Sequence, residues 1–283
     1  MKISQIDVYQ VSYKLLDQKY AWSRGREVSS LTSTVVKVST DEGLKGFAEL
    51  CPLGSAYMDA YARGVPSGIE EVGSLLIGQD PLQLNVINSL MDVALGGHSY
   101  IKSPLDIACW DILGQAAGAP VCTLLGGRAV DRFPLYRAIS QGSPEEMAAD
   151  VGRYREQGYR RFQLKVGGEP DDDIRRVRAS LEVLQSGDIL VADANTGWLS
   201  HQAIRVADAL AGENVYLEQP CATLEECLAV REHSRLPIVL DEVIRGVDSL
   251  LAACSRRAMD VVNLKISRLG GLTKAKQLRD LCE

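Results

Sequence analysis

The chain has 283 residues, of which 46% are hydrophobic and 24% are charged, proportions that are typical of a globular protein. A net charge of −6 without runs of like charge argues against binding to nucleic acid or to an anionic membrane surface. No apolar stretch reaches the length of a membrane span, and the N-terminus lacks the apolar core of a signal peptide.

Seven cysteines are present, an odd number without any Cys-x-x-Cys pair, and most of them lie in apolar contexts. They indicate a reducing compartment rather than a disulfide framework or a zinc site. We therefore expect a cytoplasmic protein.

The first part of the chain predicts three strands in succession. The stretches KISQIDVYQVSYKL and SSLTSTVVKVST alternate between apolar and polar residues, and DEGLKGFAEL offers a turn at Glu42 and Gly43 before a third strand. Together they predict an antiparallel meander.

Two helices are predicted after the meander. One lies in GIEEVGSLLIG. The other lies in SPLDIACWDILGQAAG, with Ser103 as its N-cap, Pro104 at the first helical position and Gly118 near the C-terminal end. The strands and helices together predict an α+β domain over residues 1–130.

From residue 133 onward the pattern changes to short apolar runs that alternate with helical segments. Six runs recur at steps of 23 to 28 residues: FPLYRA, RFQLKV, ILVADA, VYLEQP, IVLDEV and VVNLKI. This alternation predicts α/β architecture, with βαβ units on a parallel sheet that is buried on both faces. The equal units and the absence of a G-x-G-x-x-G loop favour a TIM-like (β/α) barrel over an open doubly wound sheet.

The predicted barrel domain spans residues 131–283, and the α+β domain over residues 1–130 would cap it. A barrel of this type has eight units, whereas the chain ends in the helix after its sixth predicted strand. We therefore expect the sequence to lack the last barrel units. The alternative is an unusual open sheet of six units.

Each of the last five predicted strands ends in one ionisable residue. In chain order these residues are Lys165, Asp193, Glu218, Asp241 and Lys265. A single charge at a strand end often marks only the point where the strand reaches water, but five in series at matching positions are poorly explained in that way. In a parallel barrel, the C-terminal ends of the strands form the active-site face.

The three carboxylates occupy neighbouring strands and would repel each other without a cation. Carboxylate oxygens suit Mg2+ best, with Mn2+ or Ca2+ as alternatives. Strands two and six are four apart, so Lys165 and Lys265 are expected on opposite sides of the barrel mouth. Two opposed lysines beside a metal can take a proton from one side of a molecule and return one from the other. The matching reaction removes the proton alpha to a carboxylate, because a divalent cation stabilises the enolate.

Four motifs in this order carry a resemblance to a known family: VADANTGW, YLEQP, LDEV and LKISRLGGLTKA. The sequence resembles the enolase superfamily, in its mandelate racemase/muconate lactonizing enzyme branch, over essentially the whole chain. The resemblance implies a capped, modified barrel in which Asp193, Glu218 and Asp241 bind Mg2+ and the two lysines transfer protons. It also implies that Asn195 orients the site.

One position departs from the family pattern. The branch usually carries Lys-x-Lys on its second strand, and Gln163 stands where the first lysine would be. This departure argues against the most typical cycloisomerases and dipeptide epimerases. It leaves burial and the metal to lower the pKa of Lys165.

A narrower similarity lies in the stretches ELCPLGSAYMDAYARG and GGHSYIKSPLDIACWDILG, which are similar to those of hydroxyproline betaine epimerases and cis-3-hydroxyproline dehydratases. Those proteins place an aromatic ring near the substrate amine; Tyr57 is the matching position here, and Trp22 is a second candidate. The alternative is that both rings only pack in surface loops. With Gln163 and Asn195, these residues are the candidate substrate-binding set.

We expect an Mg2+-dependent racemase or epimerase that acts on a small amino-acid or proline-betaine-like carboxylate through two lysines. The alternatives are a hydroxyproline-type dehydratase, a muconate-type cycloisomerase and a metal-binding protein without activity. The expected partners are a small carboxylate substrate and further copies of the same chain, with neither nucleic acid nor a membrane.

Overall fold

The computed structural model describes residues 1–17 and 19–283, which form two compact units. The first unit comprises Met1–Leu15, Ser30–Asp131 and Leu264–Glu283, and the second comprises Leu16–Ser29 and Arg132–Asn263. One unit boundary lies next to the predicted division at residues 130 and 131. Two short segments, 16–29 and 264–283, are grouped differently from that division.

The strands of the described residues are, in chain order, β1 (Ile3–Lys14), β2 (Tyr20–Trp22), β3 (Arg26–Val28), β4 (Ser30–Thr40), β5 (Lys45–Leu50), β6 (Arg137–Ile139), β7 (Arg161–Lys165), β8 (Ile189–Asp193), β9 (Val215–Glu218), β10 (Ile238–Leu240) and β11 (Val261–Val262). The helices are α1 (Gly64–Leu76), α2 (Leu84–Ala94), α3 (Ser99–Ala117), α4 (Val121–Leu124), α5 (Pro144–Glu156), α6 (Pro170–Glu182), α7 (Ser200–Ala209), α8 (Leu224–His233), α9 (Val247–Ser255), α10 (Ile266–Leu269) and α11 (Leu272–Cys282). None of the helices in residues 1–17 and 19–283 combines the length and the apolar character that a membrane span requires.

The predicted meander is present in the first unit as an antiparallel sheet with the order β1-β4-β5. Alternation along β4 turns Val36 and Val38 towards the helices, where they join Ile69 of α1 and Leu105 of α3 in one apolar core. The turn before β5 contains Gly43 with a φ of 88°, a left-handed conformation that glycine adopts without strain. The meander predicted from the alternating stretches is therefore confirmed.

Helix α3 begins earlier than its sequence predicts. It starts at Ser99, so Ser103 and Pro104 lie inside the helix and not at its N-cap and first position. Two of the residues that extend the helix backwards, Tyr100 and Ile101, are buried in the core, and this burial offsets the hydrogen bond that proline cannot donate. The predicted end of the helix is confirmed, since Gly118 forms its left-handed C-cap with a φ of 61°.

Helix α11 is anchored to α3 by a buried carboxylate. Asp106 accepts hydrogen bonds from the backbone N–H of Thr273 at 3.0 Å and from its hydroxyl at 2.5 Å, and a third from Asn88 Nδ2 at 2.6 Å. The first of these bonds occupies an N–H in the first turn of α11, which has no partner inside its own helix. The side chain of Asp106 therefore acts as an N-terminal cap supplied by a different helix.

The second unit contains six parallel strands in the order β6-β7-β8-β9-β10-β11, so each strand pairs with the next one along the chain. Helices α5 to α9 alternate with these strands. Beyond Arg161, every residue of β7 is buried, as expected for a parallel sheet that is covered on both faces. The predicted strand–helix alternation is confirmed, and the short antiparallel hairpin of β2 and β3 is an additional element of this unit.

Two predicted strands are displaced or shortened. The run FPLYRA predicted a strand from Phe133, but the strand is β6, and Phe133 is 72% exposed. The run VVNLKI predicted a strand that ends at Lys265, but β11 ends at Val262. Just beyond the strand, Asn263 Nδ2 donates to Glu218 Oε1 at 2.9 Å, and Lys265 lies directly before α10.

Candidate active site

Three carboxylates end three consecutive parallel strands. Asp193 is the last residue of β8, Glu218 is the last residue of β9, and Asp241 follows β10 directly. Asp193 and Glu218 are register partners across their strands. The exposed fractions of the three residues are 1%, 2% and 0%, so the second unit collects three acidic side chains at one edge of its sheet and away from water.

The pKa of Glu218 reflects its burial and the negative charges that lie close to it. Burial raises its pKa, and the charges of Asp193 and Asp241 raise it further, to about 7. Two amides oppose this shift: Asn263 Nδ2 donates to Oε1 at 2.9 Å, and Gln163 Nε2 donates to Oε2 at 2.7 Å. Buried carboxylates that repel each other in this way are stabilised by a nearby cation.

Lys165 supplies one positive charge to this group. It ends β7 as the register partner of Asp193, and its Nζ donates to Asp193 Oδ2 at 2.5 Å. Burial alone would lower the pKa of Lys165, but the charges of Asp193, Tyr20 and Glu218 together raise it above its ordinary value. In this arrangement, Lys165 is therefore held as an ammonium ion.

Tyr20 is a site residue that the sequence did not single out. Its ring centroid lies 5.9 Å from Lys165 Nζ, and burial raises the pKa of its phenol. The hairpin that carries it is held by hydrogen bonds between Ala21 N and Ser140 Oγ at 2.8 Å and between Gln141 N and Ala21 O at 3.0 Å. The predicted residue in this loop, Trp22, is 2% exposed, and its ring centroid lies 6.0 Å from that of Tyr20. The sequence signal for Tyr20 was its spacing from Trp22. Residues two apart on a strand point to the same face, so a candidate at Trp22 also makes Tyr20 a candidate.

Gln163 and Asn195, two of the predicted substrate-binding residues, contact the acidic group. Gln163 precedes Lys165 on the same face of β7 and binds Glu218 as described. The backbone N–H of Asn195 donates to Asp193 Oδ1 at 2.9 Å, and its Nδ2 donates to Glu242 Oε1 at 2.9 Å. Its Oδ1 is buried and accepts no hydrogen bond from the described residues.

Lys265 and Tyr57 come together in the first unit. Lys265 Nζ is hydrogen-bonded to the phenol oxygen of Tyr57 and lies 4.6 Å from the centroid of its ring. Both side chains line a cavity of about 450 Å³, together with Glu49, Leu50 and Cys51. The structure thus places the predicted aromatic residue beside one of the two predicted acid–base lysines.

The acidic group of the second unit fits a hard divalent cation by its chemistry. Carboxylate oxygens and the unsatisfied amide oxygen of Asn195 are ligands that Mg2+ and Mn2+ prefer. Within residues 1–17 and 19–283, no three His, Cys, Asp or Glu side chains have metal-binding geometry as they stand. Nitrogen donors hold the carboxylate oxygens in this arrangement, with Lys165 on Asp193 and two amides on Glu218.

Comparison with known proteins gives matches along nearly the whole chain. Residues 21–126 match the N-terminal domain of the mandelate racemase/muconate lactonizing enzyme family, and residues 146–283 match the enolase C-terminal domain-like family. The cis-3-hydroxy-L-proline dehydratase of Roseibium aggregatum is 56% identical over 282 residues, which are 100% of this chain and 77% of that protein. The chain belongs to the enolase superfamily. Another superfamily relative, the N-succinyl-L-Arg/Lys racemase of Bacillus cereus, is 29% identical over 287 residues, covering 100% of this chain and 77% of its own length.

Solved structures of the enolase superfamily share the fold. A mandelate racemase/muconate lactonizing enzyme from Roseovarius nubinhibens, complexed with magnesium, superimposes with a TM-score of 0.95 at 37% identity, over 100% of this chain and 77% of that one. The dipeptide epimerase of Cytophaga hutchinsonii, complexed with Mg and D-Ala-L-Val, gives a TM-score of 0.95 at 28% identity with the same coverage. The predicted superfamily, the TIM-barrel-like α/β fold with its N-terminal capping domain and the enzymatic nature of the chain are confirmed. Members of this superfamily bind Mg2+.

Proposed function

We propose that the enzyme removes the proton alpha to the carboxylate of a cyclic imino acid and then eliminates a beta hydroxyl, as a hydroxyproline-type dehydratase. The observation that carries the proposal is the contact between Lys165 Nζ and Asp193 Oδ2 at 2.5 Å, on neighbouring strand ends and out of water. It sets an acid–base group directly beside a candidate ligand of the cation. The 56% identity to a cis-3-hydroxy-L-proline dehydratase ranks dehydration before the racemisation expected from the sequence.

The residues that would hold Mg2+, or Mn2+ in its place, are Asp193, Glu218 and Asp241. The cation, when bound, stabilises the negative charge that develops on the substrate carboxylate as the alpha proton leaves. Asn195 holds Asp193 by its backbone N–H, and Gln163 holds Glu218 by its side-chain amide. These two contacts orient the ligand oxygens.

Lys165 is the proposed base, and it acts in its neutral form. Asp193 holds the pKa of Lys165 high; a cation held by that carboxylate would oppose this effect and favour the neutral amine. The amine takes the proton from the alpha carbon, and the electrons of the broken bond pass towards the carboxylate. They return to form a double bond between the alpha and beta carbons as the hydroxyl leaves with a proton, as water. The resulting enamine becomes the cyclic imine when its beta carbon gains a proton and its ring nitrogen loses one.

The second acid–base group is proposed from the resemblance and not from geometry. The family pattern assigns this role to Lys265, whose Nζ is bound to the phenol of Tyr57. In dehydration, Lys265 would donate the proton that leaves with the hydroxyl. In racemisation, the second candidate reaction, it would return a proton to the alpha carbon; similarity to the N-succinyl-L-Arg/Lys racemase supports that alternative.

The proposal is tested by proton NMR in D2O with Mg2+ and two substrates. Cis-3-hydroxy-L-proline carries its hydroxyl on the beta carbon, whereas trans-4-hydroxy-L-proline carries it one carbon further away and cannot undergo the same elimination. We expect the enzyme to convert only the first substrate to the cyclic imine, and we expect Lys165→Ala to convert neither. Exchange of the alpha proton in both substrates with the hydroxyl retained would identify an epimerase. If the enzyme catalysed neither exchange nor elimination, that result would contradict enolate chemistry on these imino acids.

A further inference from the structure

Two glycines follow Lys165, and their backbone amides bind one internal carboxylate. Gly167 N and Gly168 N donate to Asp173 Oδ2 at 2.9 and 2.7 Å. Asp173 lies in the first turn of α6 and is 0% exposed. Consecutive backbone amides of this kind form an anion-binding concavity. Here the anion is a side chain of the protein, so the glycine pair serves the fold.

The same carboxylate oxygen also holds the neighbouring loop. Trp198 Nε1 donates to Asp173 Oδ2 at 3.0 Å, and Trp198 lies in the loop between Asp193 and α7. The second oxygen of Asp173 accepts from Arg176 at 2.7 Å. One oxygen atom therefore joins the loop that follows Lys165 to the loop that follows Asp193.

The two loops also touch through their backbones, at positions where no side chain fits. A Cβ on Gly167, whose φ is 93°, would lie 2.3 Å from Ala194 O, and a Cβ on Gly197 would lie 2.4 Å from Gly167 O. The backbone N–H of Val166 donates to Asp193 O at 2.9 Å. Because the loops are this close, a displacement of one must displace the other.

Asp173 depends on these donors for its place in the interior. Burial raises the pKa of its carboxyl, while Arg176, the amide of Gly168 and the indole of Trp198 lower it. A buried carboxylate is stabilised by charge-assisted hydrogen bonds of this kind, each stronger than a bond between neutral groups, and here also by its ion pair with Arg176. The carboxylate and the two loops therefore hold each other in one arrangement.

We propose that Asp173 is a positioning residue, which fixes Lys165 relative to Asp193 by holding both of their loops on one carboxylate oxygen. The expected effect on turnover rests on the proposed function. The expected effects on loop order and on cation affinity need no substrate.

The test compares Asp173→Asn with the matched control Asp172→Asn. Asp172 is the preceding residue; its side chain is 44% exposed and pairs with Arg175 of the same helix. Asparagine keeps the shape of Asp173 but removes the charge that draws three N–H donors to one oxygen. Hydrogen exchange of the amides of residues 167 and 168 should become at least about tenfold faster, and the Kd for Mn2+ should rise about tenfold. The value of kcat should fall by about 10²-fold with KM changed by less than about threefold, because misplaced catalytic groups lower the rate more than they lower binding. Asp172→Asn should match the wild type.

A second variant guards against loss of folding in Asp173→Asn. Trp198→Phe removes the indole N–H donor and leaves a smaller aromatic ring in its place, so it should shift the Mn2+ affinity and kcat in the same direction by about threefold. Wild-type Mn2+ affinity and kcat in both variants would overturn the proposal, even if the amides exchange faster, because Asp173 would then support only the fold. A wild-type enzyme that binds Mn2+ but converts neither hydroxyproline would end the proposed function, while the exchange and affinity measurements would still decide the role of Asp173.

Discussion

Lys165 and Asp193 stand at matching positions on neighbouring parallel strands, and 2.5 Å separates Lys165 Nζ from Asp193 Oδ2. The proposed base and the proposed metal ligand are in direct contact, so they cannot be altered independently. Removing the lysine leaves a buried carboxylate without its ion pair, and removing the carboxylate lowers the pKa of the lysine. Variants at either position therefore need readouts for both proton transfer and cation binding.

Lys165→Ala is expected to lower turnover by at least about 10²-fold, the usual contribution of a positioned acid–base group. Lys265→Ala separates the two candidate reactions. A racemase uses both lysines at the alpha carbon, one for each enantiomer. In a dehydratase only Lys165 acts on the alpha proton, so Lys265→Ala should slow loss of the hydroxyl but leave alpha-proton exchange in place. The measurement is loss of the alpha-proton signal in D2O for each enantiomer. The control is Lys276→Ala, a partly exposed lysine that pairs with Asp280 on the same helix. Equal rates in the wild type and both site variants would show that neither lysine is the base.

Treatment with EDTA is expected to abolish activity, and Mg2+ or Mn2+ should restore it. Glu218→Gln keeps the shape of the side chain but removes one charge from the carboxylates proposed to bind the cation. It should weaken Mn2+ binding by at least about tenfold and lower kcat by orders of magnitude. Calorimetric titration with Mn2+ measures the first effect. Full activity of the wild type in metal-free buffer would rule out metal-assisted enolate chemistry.

The stability of the EDTA-treated enzyme should fall as the pH rises through the range in which Glu218 ionises. Its pKa is about 7 in the folded chain and 4.5 ordinarily, so the folded state holds this proton more tightly. The free energy of unfolding therefore decreases between about pH 4.5 and 7, as the buried carboxylate becomes charged. Thermal unfolding at pH 5 and pH 8 should show a smaller pH effect for Glu218→Gln than for the wild type. Exposed Glu232→Gln is the control and should follow the wild type. The same pH effect in all three proteins would contradict the assignment of this pH dependence to Glu218.

Tyr57→Phe is expected to lower kcat by about tenfold, because it removes the hydrogen bond to Lys265 Nζ and leaves the ring in place. The remaining cation–π contact should keep Lys265 near its position, so the loss should be smaller than in Lys265→Ala. Steady-state kinetics on the accepted substrate measures both. A loss in Tyr57→Phe as large as that in Lys265→Ala would assign Tyr57 a direct chemical role.

Asp106→Ala is expected to destabilise the first unit by about 2 to 4 kcal/mol, because the buried donors of Thr273 and Asn88 lose their acceptor. Asp106→Asn should cost less, since it keeps one oxygen. Hydrogen exchange should accelerate in the first turn of α11, which Asp106 caps. Urea unfolding measures the energy, with exposed Glu70→Ala as the control. Unchanged exchange in α11 would show that Asp106 does not anchor this helix.

The parallel sheet and the residues at its strand ends could be predicted because both depend on local signals. Buried strands read as continuous apolar runs, and the residue that follows the last apolar position is the one that reaches the sheet edge. Asp193, Glu218 and Asp241 lie where this rule places them.

Other features depend on contacts between distant segments, and the sequence does not display these. The bond from Asn263 to Glu218 lies just beyond the end of β11 and joins residues 45 positions apart. Tyr20 gains its place from hydrogen bonds between its hairpin and residues 140 and 141. Burial of Tyr100 draws α3 back past Ser103, although the local signal for a helix start is stronger there.

The backbone contact between Gly167 and Gly197 restricts how enzymes of this design can diverge. The backbones of the two loops approach too closely for any side chain to fit between them. An insertion or deletion in either loop would separate them and would disturb Lys165 and Asp193 together. We therefore expect changes in other segments, such as part of the β2–β3 hairpin, to be tolerated better than changes in either loop. A mutant library that varies residues 25–28 and keeps Tyr20, Ser23 and Arg24 would leave in place the contacts of this hairpin with Lys165 and with the loop after Asp193.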